Sequence, residues 1–137
     1  MGDIFRSESL AMTEEYGRKL AESLTAGTVV ALYGGMGMGK TALVRGVAAG
    51  LGLEAEVSSP TFALVHDYGG QPPLVHFDMY RVSGWEDLYS TGFFDYLDAG
   101  AILIVEWSEH IENALPADAI RLRLQRVDDC TRLIERE

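Results

Sequence analysis

Eight consecutive residues, Gly34-Gly35-Met36-Gly37-Met38-Gly39-Lys40-Thr41, constrain this chain more than anything else in it. They follow a β-branched and apolar run, Thr28 to Tyr33. After them come Leu43, Val44, Val47, Ala48 and Leu51 at helical spacing, with Gly52 beyond as the expected C-cap. The order is strand, loop, helix, the setting in which the pattern G-x-x-x-x-G-K-[ST] has a mechanism. Glycines let backbone N–H groups turn inward around phosphates, and the helix that starts near Lys40 adds the positive end of its dipole. Lys40 supplies a point charge, and the Thr41 hydroxyl is placed for magnesium. Glycine-rich turns also join strands to helices for geometric reasons alone, but geometry does not require Lys and Thr directly after the last glycine. Nucleotide binding is the expectation.

A phosphate loop needs a carboxylate at the end of a neighbouring strand, to hold the water shell of magnesium or to orient an attacking water. Two runs qualify. Leu74-Val75-His76-Phe77-Asp78 and Ile102-Leu103-Ile104-Val105-Glu106 each read as an apolar strand closing on an acid, and spacing does not say which acid meets the metal. His76 alternates with Phe77 and reads as a half-buried sheet histidine. Arg81 is placed equally well for a phosphate or for a local carboxylate. Trp107 reads as packing more than as a stacking platform.

The rest of the chain frames these sites. Thr13 followed by two glutamates reads as the N-cap of an amphipathic helix running to about Ala26. Strands are expected at Phe62 to His66, Leu74 to Phe77 and Ala101 to Trp107. Trp85 to Tyr89 and Phe93 to Leu97 read as short helices, and Ala119 to Gln125 and Thr131 to Glu135 as a hairpin. Gly69-Gly70 and Pro72-Pro73 read as turns. Arg121, Arg123 and Arg126 alternate as surface charge on a solvated edge. The fold class implied is α/β: a mainly parallel sheet flanked by helices with an antiparallel edge hairpin, of the P-loop NTPase kind. At 137 residues, 1–137 is expected to be one domain.

Composition narrows the classes further. Eleven basic against twenty-one acidic side chains give a net charge of −10, which opposes a nucleic-acid backbone. Any contact with nucleic acid is therefore expected to be indirect or limited. Cys130 is the only cysteine and reads as a spectator thiol. The stretch Met1 to Glu15 alternates acids with small residues and lacks the pattern of a signal peptide. No apolar run approaches the roughly 20 residues that span a bilayer. A cytoplasmic location without membrane contact is the expectation.

The loop from Gly34 to Thr41, with Ser59-Pro60-Thr61-Phe62, His76-Phe77-Asp78-Met79-Tyr80-Arg81 and Val105-Glu106-Trp107 in that order, resembles the TsaE family. The similarity runs from Thr13 and Gly17 through Leu115-Pro116, nearly the whole chain. It implies an ATP-binding and ATP-hydrolysing protein of tRNA threonylcarbamoyladenosine synthesis that acts with the TsaD and TsaB proteins, with ATP and Mg2+ as cofactors. By the same resemblance, Lys40 and Thr41 hold phosphate and magnesium, Glu106 is the magnesium-associated acid and Asp78 an acid required for activity. Thr61 belongs to a switch-like loop near the γ-phosphate, Thr13 lies on the nucleotide side, and Arg132 falls near a position that faces the nucleotide. The sequence departs from the family pattern at Gly35, Met36 and Met38, where family loops usually carry an acid or amide, a leucine and an alanine. Two other classes remain open: a small-molecule kinase, disfavoured because no arginine-rich lid stands in the sequence, and a non-enzymatic ATP-dependent switch protein.

Overall fold

Among the described residues, seven strands form one sheet in the order β1-β7-β6-β2-β5-β4-β3. The computed structural model describes residues 3–34, 39–53 and 65–137. The strands are β1 Asp3–Ser7, β2 Val29–Tyr33, β3 Val65–Gly70, β4 Pro73–Asp78, β5 Ile102–Glu106, β6 Ile120–Arg126 and β7 Arg132–Arg136. The helices are α1 Leu10–Ala21, α2 Lys40–Gly50, α3 Trp85–Ser90 and α4 Phe93–Asp98, with a 3₁₀ segment at Ser108–Ala114.

The inner strands β6, β2, β5 and β4 are parallel, and both flanks are antiparallel: β3 on β4 at one side, β7 and then β1 beyond β6 at the other. The sheet is therefore mixed, with two antiparallel edges where the sequence reading expected one. The unexpected antiparallel edge is β3 on β4; on the other side the expected hairpin is extended by one more strand, β1, which pairs with β7. Its residues showed no apolar alternation strong enough to read, since Ile4 stays exposed and only Ser7 is buried. The hairpin of β6 and β7 is present, but β6 also pairs with β2 and so is not an edge. Its arginines are half-covered or surface charges with local partners: Arg121 with Glu112, Arg123 with Glu137, Arg126 with Asp129.

Side-chain alternation along the parallel strands divides the core into two layers. Val30 and Leu32 of β2, Ile102 and Ile104 of β5, and Leu122 and Leu124 of β6 face α1 and α2. Val29, Val75, Phe77, Leu103 and Val105 pack on the other side with Leu88 of α3, Phe93 of α4 and Ile111 of the 3₁₀ segment.

Helix α1 begins three residues before Thr13. Ser9 is the N-cap, its hydroxyl accepting from the Met12 N–H, and Thr13 is buried within the first turns. Thr13 is therefore not the cap; it lies inside the helix, its hydroxyl bonded to Ser7 at 2.7 Å. At the far end of α2, Leu51 is the cap and Gly52 the next residue, with φ +77°. The Leu53 and Gly52 N–H groups return to Ala48 and Ala49, the crossed pair of bonds that closes a helix on a left-handed residue. Gly69 and Gly70 are not the turn itself; both lie in β3, where the pairing register shifts.

Helices α1 and α2 cross in unusually close contact. A Cβ on Gly46 would fall 1.9 Å from the Glu14 carbonyl oxygen, and one on Gly17 would fall 2.3 Å from that of Leu43. No side chain fits at either point, so the backbones touch. This contact holds the first turns of α1 against the start of α2.

Candidate functional site

Parallel strands end at one rim of the sheet, and open α/β sheets place their ligands at such a rim. Here the C-terminal ends of β2, β5 and β4 deliver Gly34, Glu106 and Asp78, with Asp78 and Glu106 directly opposite each other in register. Helix α2 starts at Lys40 beside them, and its N-cap, Gly39, has φ +91° and offers no side chain to the helix end. Backbone N–H groups at that end are left for a ligand.

Lys40 is only 5% exposed. Its Nζ donates to the Gly34 carbonyl at 2.8 Å, stands 3.6 Å from Glu106 Oε1 and lies 5.1 Å from the centre of the Trp107 ring. A nearly buried ammonium is tolerated because carbonyl, carboxylate and indole face surround it. Trp107 thus does more than pack. It holds φ +58°, a conformation uncommon outside glycine, and its ring meets Tyr80 at 4.9 Å and His110 at 5.7 Å.

Glu106 has a second partner that the sequence reading did not assign. His76 is fully buried, and its Nε2–H donates to Glu106 Oε2 at 2.5 Å. On the far side of the ring, Nδ1 lies 3.5 Å from the Tyr68 hydroxyl, which in turn lies 3.3 Å from His66 Nδ1. The signal for this contact was available: His76 and Asp78 are two apart on β4 and so share a face, the same face that Glu106 takes as the end of β5. Burial by itself raises the Glu106 carboxyl. The hydrogen bond and charge of His76, and then those of Lys40, outweigh it and hold the group below its ordinary range.

Asp78 is half-buried, and its Oδ1 accepts the Tyr80 N–H at 2.9 Å, so it caps the turn after β4 while standing beside Glu106. Arg81 is exposed and has no ion pair among the described residues. Thr41 is half-buried in the first turn of α2.

Thr13 and Arg132 come from distant parts of the chain to the same point. A Cβ on Gly39 would lie 3.7 Å from Arg132 Cγ and 3.9 Å from Thr13 Cγ2. The Arg132 guanidinium donates through Nη1 to the carbonyls of Asp128 and Thr131, while its Nε is buried with no hydrogen-bond partner among the described residues. Gly35, Met36, Gly37, Met38 and Thr61, with the rest of Ser59 to Phe62, lie outside the described residues.

The residues present fit a nucleotide and a magnesium ion. Among the described residues, the Arg132 Nε–H has no acceptor and the start of α2 has no side-chain cap, and acceptors for such donors are what phosphate oxygens supply. The Thr41 hydroxyl and the Glu106 carboxylate are hard oxygen donors. Among the described residues no three His, Cys, Asp or Glu side chains gather around one point, and magnesium usually takes only one or two protein ligands alongside phosphate.

The fold and this rim define a mixed α/β protein with a lysine-headed helix facing paired carboxylates. Over residues 7–134 the chain matches the family model described as threonylcarbamoyl adenosine biosynthesis protein TsaE. The chain belongs to the TsaE family, and thus to proteins of tRNA threonylcarbamoyladenosine biosynthesis. It is 44% identical over 115 residues to the tRNA threonylcarbamoyladenosine biosynthesis protein TsaE of Streptomyces coelicolor, covering 82% of this chain and 78% of that one. The Treponema pallidum protein of the same name is 34% identical over 128 residues, covering 93% and 95%. The crystal structure of Bacillus subtilis YdiB superposes with a TM-score of 0.83 at 28% identity, over 99% of this chain and 84% of that one. None of the described helices is long and apolar enough to cross a membrane.

Proposed function

We propose that this protein is a cytoplasmic P-loop ATPase that binds ATP with Mg2+ and uses its hydrolysis to drive tRNA threonylcarbamoyladenosine formation together with the TsaD and TsaB proteins. The observation that carries the reading is Lys40. It heads α2 with 5% exposure, between the Gly34 carbonyl and the Glu106 carboxylate, at the end of the parallel strands.

Lys40 and the N–H groups at the start of α2 bind the β- and γ-phosphates of ATP. Among the described residues the Lys40 ammonium has a carbonyl and a carboxylate for polar partners, and exchanges them for phosphate oxygens at little desolvation cost. Thr41 and Glu106 would hold magnesium, which would supply neutralisation of the charge that builds on the phosphates. His76 fixes the Glu106 carboxylate by one oxygen and leaves the other facing Lys40. Asp78, adjacent to Glu106 and anchored by the Tyr80 N–H, orients the attacking water. Arg132 and Thr13 close the site around Gly39, and the buried Nε of Arg132 donates to the nucleotide.

The test is ATP hydrolysis by the purified protein, alone and with TsaD and TsaB. Lys40→Ala is expected to lower kcat/KM by about a hundredfold or more, the scale set by removing one preorganised donor from developing charge. ATP turnover that is indifferent to Lys40 would overturn the assignment. Phosphate appearing on a small acceptor instead of in solution would favour a kinase, and binding without turnover under every condition would favour a switch.

A further inference from the structure

From Val82 to Ile120 the chain carries eight acids and no lysine or arginine, so most of the net charge of −10 comes from one segment. Seven of these acids are exposed, Glu106 being the buried one. The segment contains α3, α4, β5 and the 3₁₀ segment. Its surface is not merely acidic: Trp85 is 53% exposed and Tyr89 65% exposed. Trp85 stacks on Phe94 with ring centres 6.2 Å apart and planes 16° from parallel, and Tyr89 meets Phe94 at 5.0 Å. These rings are ordered against one another while their outer faces meet water.

Beside Trp85 a cleft of about 150 Å³ opens between α3 and the 3₁₀ segment, with Leu88 and Ile111 in its lining and Glu109 and Glu112 among its walls. Glu112 is fixed there by the Tyr33 hydroxyl and the Arg121 Nε. The cleft also includes His110, whose ring touches that of Trp107 beside Lys40. Ring contacts thus link one residue of the cleft to Lys40 through Trp107.

We propose that this aromatic and acidic groove is the docking surface for a partner protein that presents lysine or arginine side chains among apolar ones. Exposed, rigid aromatics are the residues that dominate protein interfaces, and arginine both pairs with carboxylates and lies against indole faces. A nucleic acid would meet only like charge here, and a second copy docked through the same face would bring the same acids together. The proposal rests on the reading of TsaD and TsaB as partners, and gives that partnership a face on this molecule.

The test measures binding of purified TsaD–TsaB complex to the wild-type chain, to Trp85→Ala/Tyr89→Ala and to Glu86→Lys/Glu109→Lys, with ATP binding and thermal melting followed in each. The expected result is affinity weakened by about tenfold or more in the aromatic variant. In the charge variant, association should be slower with less dependence on salt. ATP affinity should be unchanged in both. The charge variant stays informative if loss of the aromatics disturbs folding. If the complex binds all three proteins equally, the groove is not the docking surface and the partnership stands. If it does not bind the wild-type chain, the partnership and the groove fail together. Binding of tRNA that is lost in the aromatic variant would also overturn the proposal, by making the surface a nucleic-acid platform.

Discussion

The Glu106 carboxylate is the most tightly bound charge at the site, held by His76 on one oxygen and near Lys40 on the other. Its folded-state value lies below the ordinary 4.5, so its ionised form adds stability above that pH, and the addition is lost as pH falls through the lowered value. Denaturant unfolding across pH should show wild type more stable than Glu106→Gln near neutrality, with the gap closing in acid below about 4.5. A gap that stays constant or widens in acid would contradict the arrangement. His76 acts through Glu106 and is a positioning residue. His76→Ala should lower ATPase kcat, and His76→Gln, which keeps an N–H donor, should recover part of it; equal loss in both would mean that His76 only fills space. Asp78→Ala should leave ATP binding near the wild-type value and lower turnover, as separate binding and single-turnover measurements would show.

Helices α1 and α2 show what an element contributes beyond its own residues. Strand β2 and helix α2, on either side of the glycine-rich loop, were legible because strand, glycines, lysine and helix are contiguous in sequence, and so were the two strands ending in acids. Thr13 was legible only by resemblance, because its place beside Gly39 depends on the backbone contact at Gly17 and Gly46, and small residues inside a helix announce nothing about what they touch. His76 was misjudged for a related reason: its alternation with Phe77 gave the face correctly, but not that β5 would be its neighbour and set Glu106 beside it. Strand β1 was missed because an edge strand with one buried residue leaves almost no pattern. The glycine contact carries its own prediction. Gly46→Ala puts a methyl group 1.9 Å from the Glu14 carbonyl oxygen, so the helices must separate. The expected loss is about 1–3 kcal/mol, the range for overpacking a filled interior, measured by thermal or denaturant melting. Weakened ATP binding should accompany it, because Thr13 moves with α1. Unchanged stability in Gly46→Ala would show that the crossing yields.

At the scale of the whole molecule, the sheet separates two tasks. Its parallel rim gathers Gly34, Lys40, Glu106 and Asp78, the site proposed for phosphates, and the helices beyond β4 and β5 present an acidic, aromatic face alongside. On the proposed function, the charge that opposes a tRNA backbone is the charge that would suit the chain to a basic protein partner, as an ATPase serving a tRNA-modifying complex requires. The most direct measurement is threonylcarbamoyladenosine formation on tRNA in a reconstituted mixture of TsaB, TsaD and the separate enzyme that supplies the threonylcarbamoyl group as its adenylate, with the wild-type chain, with Lys40→Ala and with neither, while ATP hydrolysis is followed in parallel. Multiple-turnover synthesis that requires the wild-type chain and stops with Lys40→Ala is the result predicted; equal synthesis in all three mixtures would contradict the account.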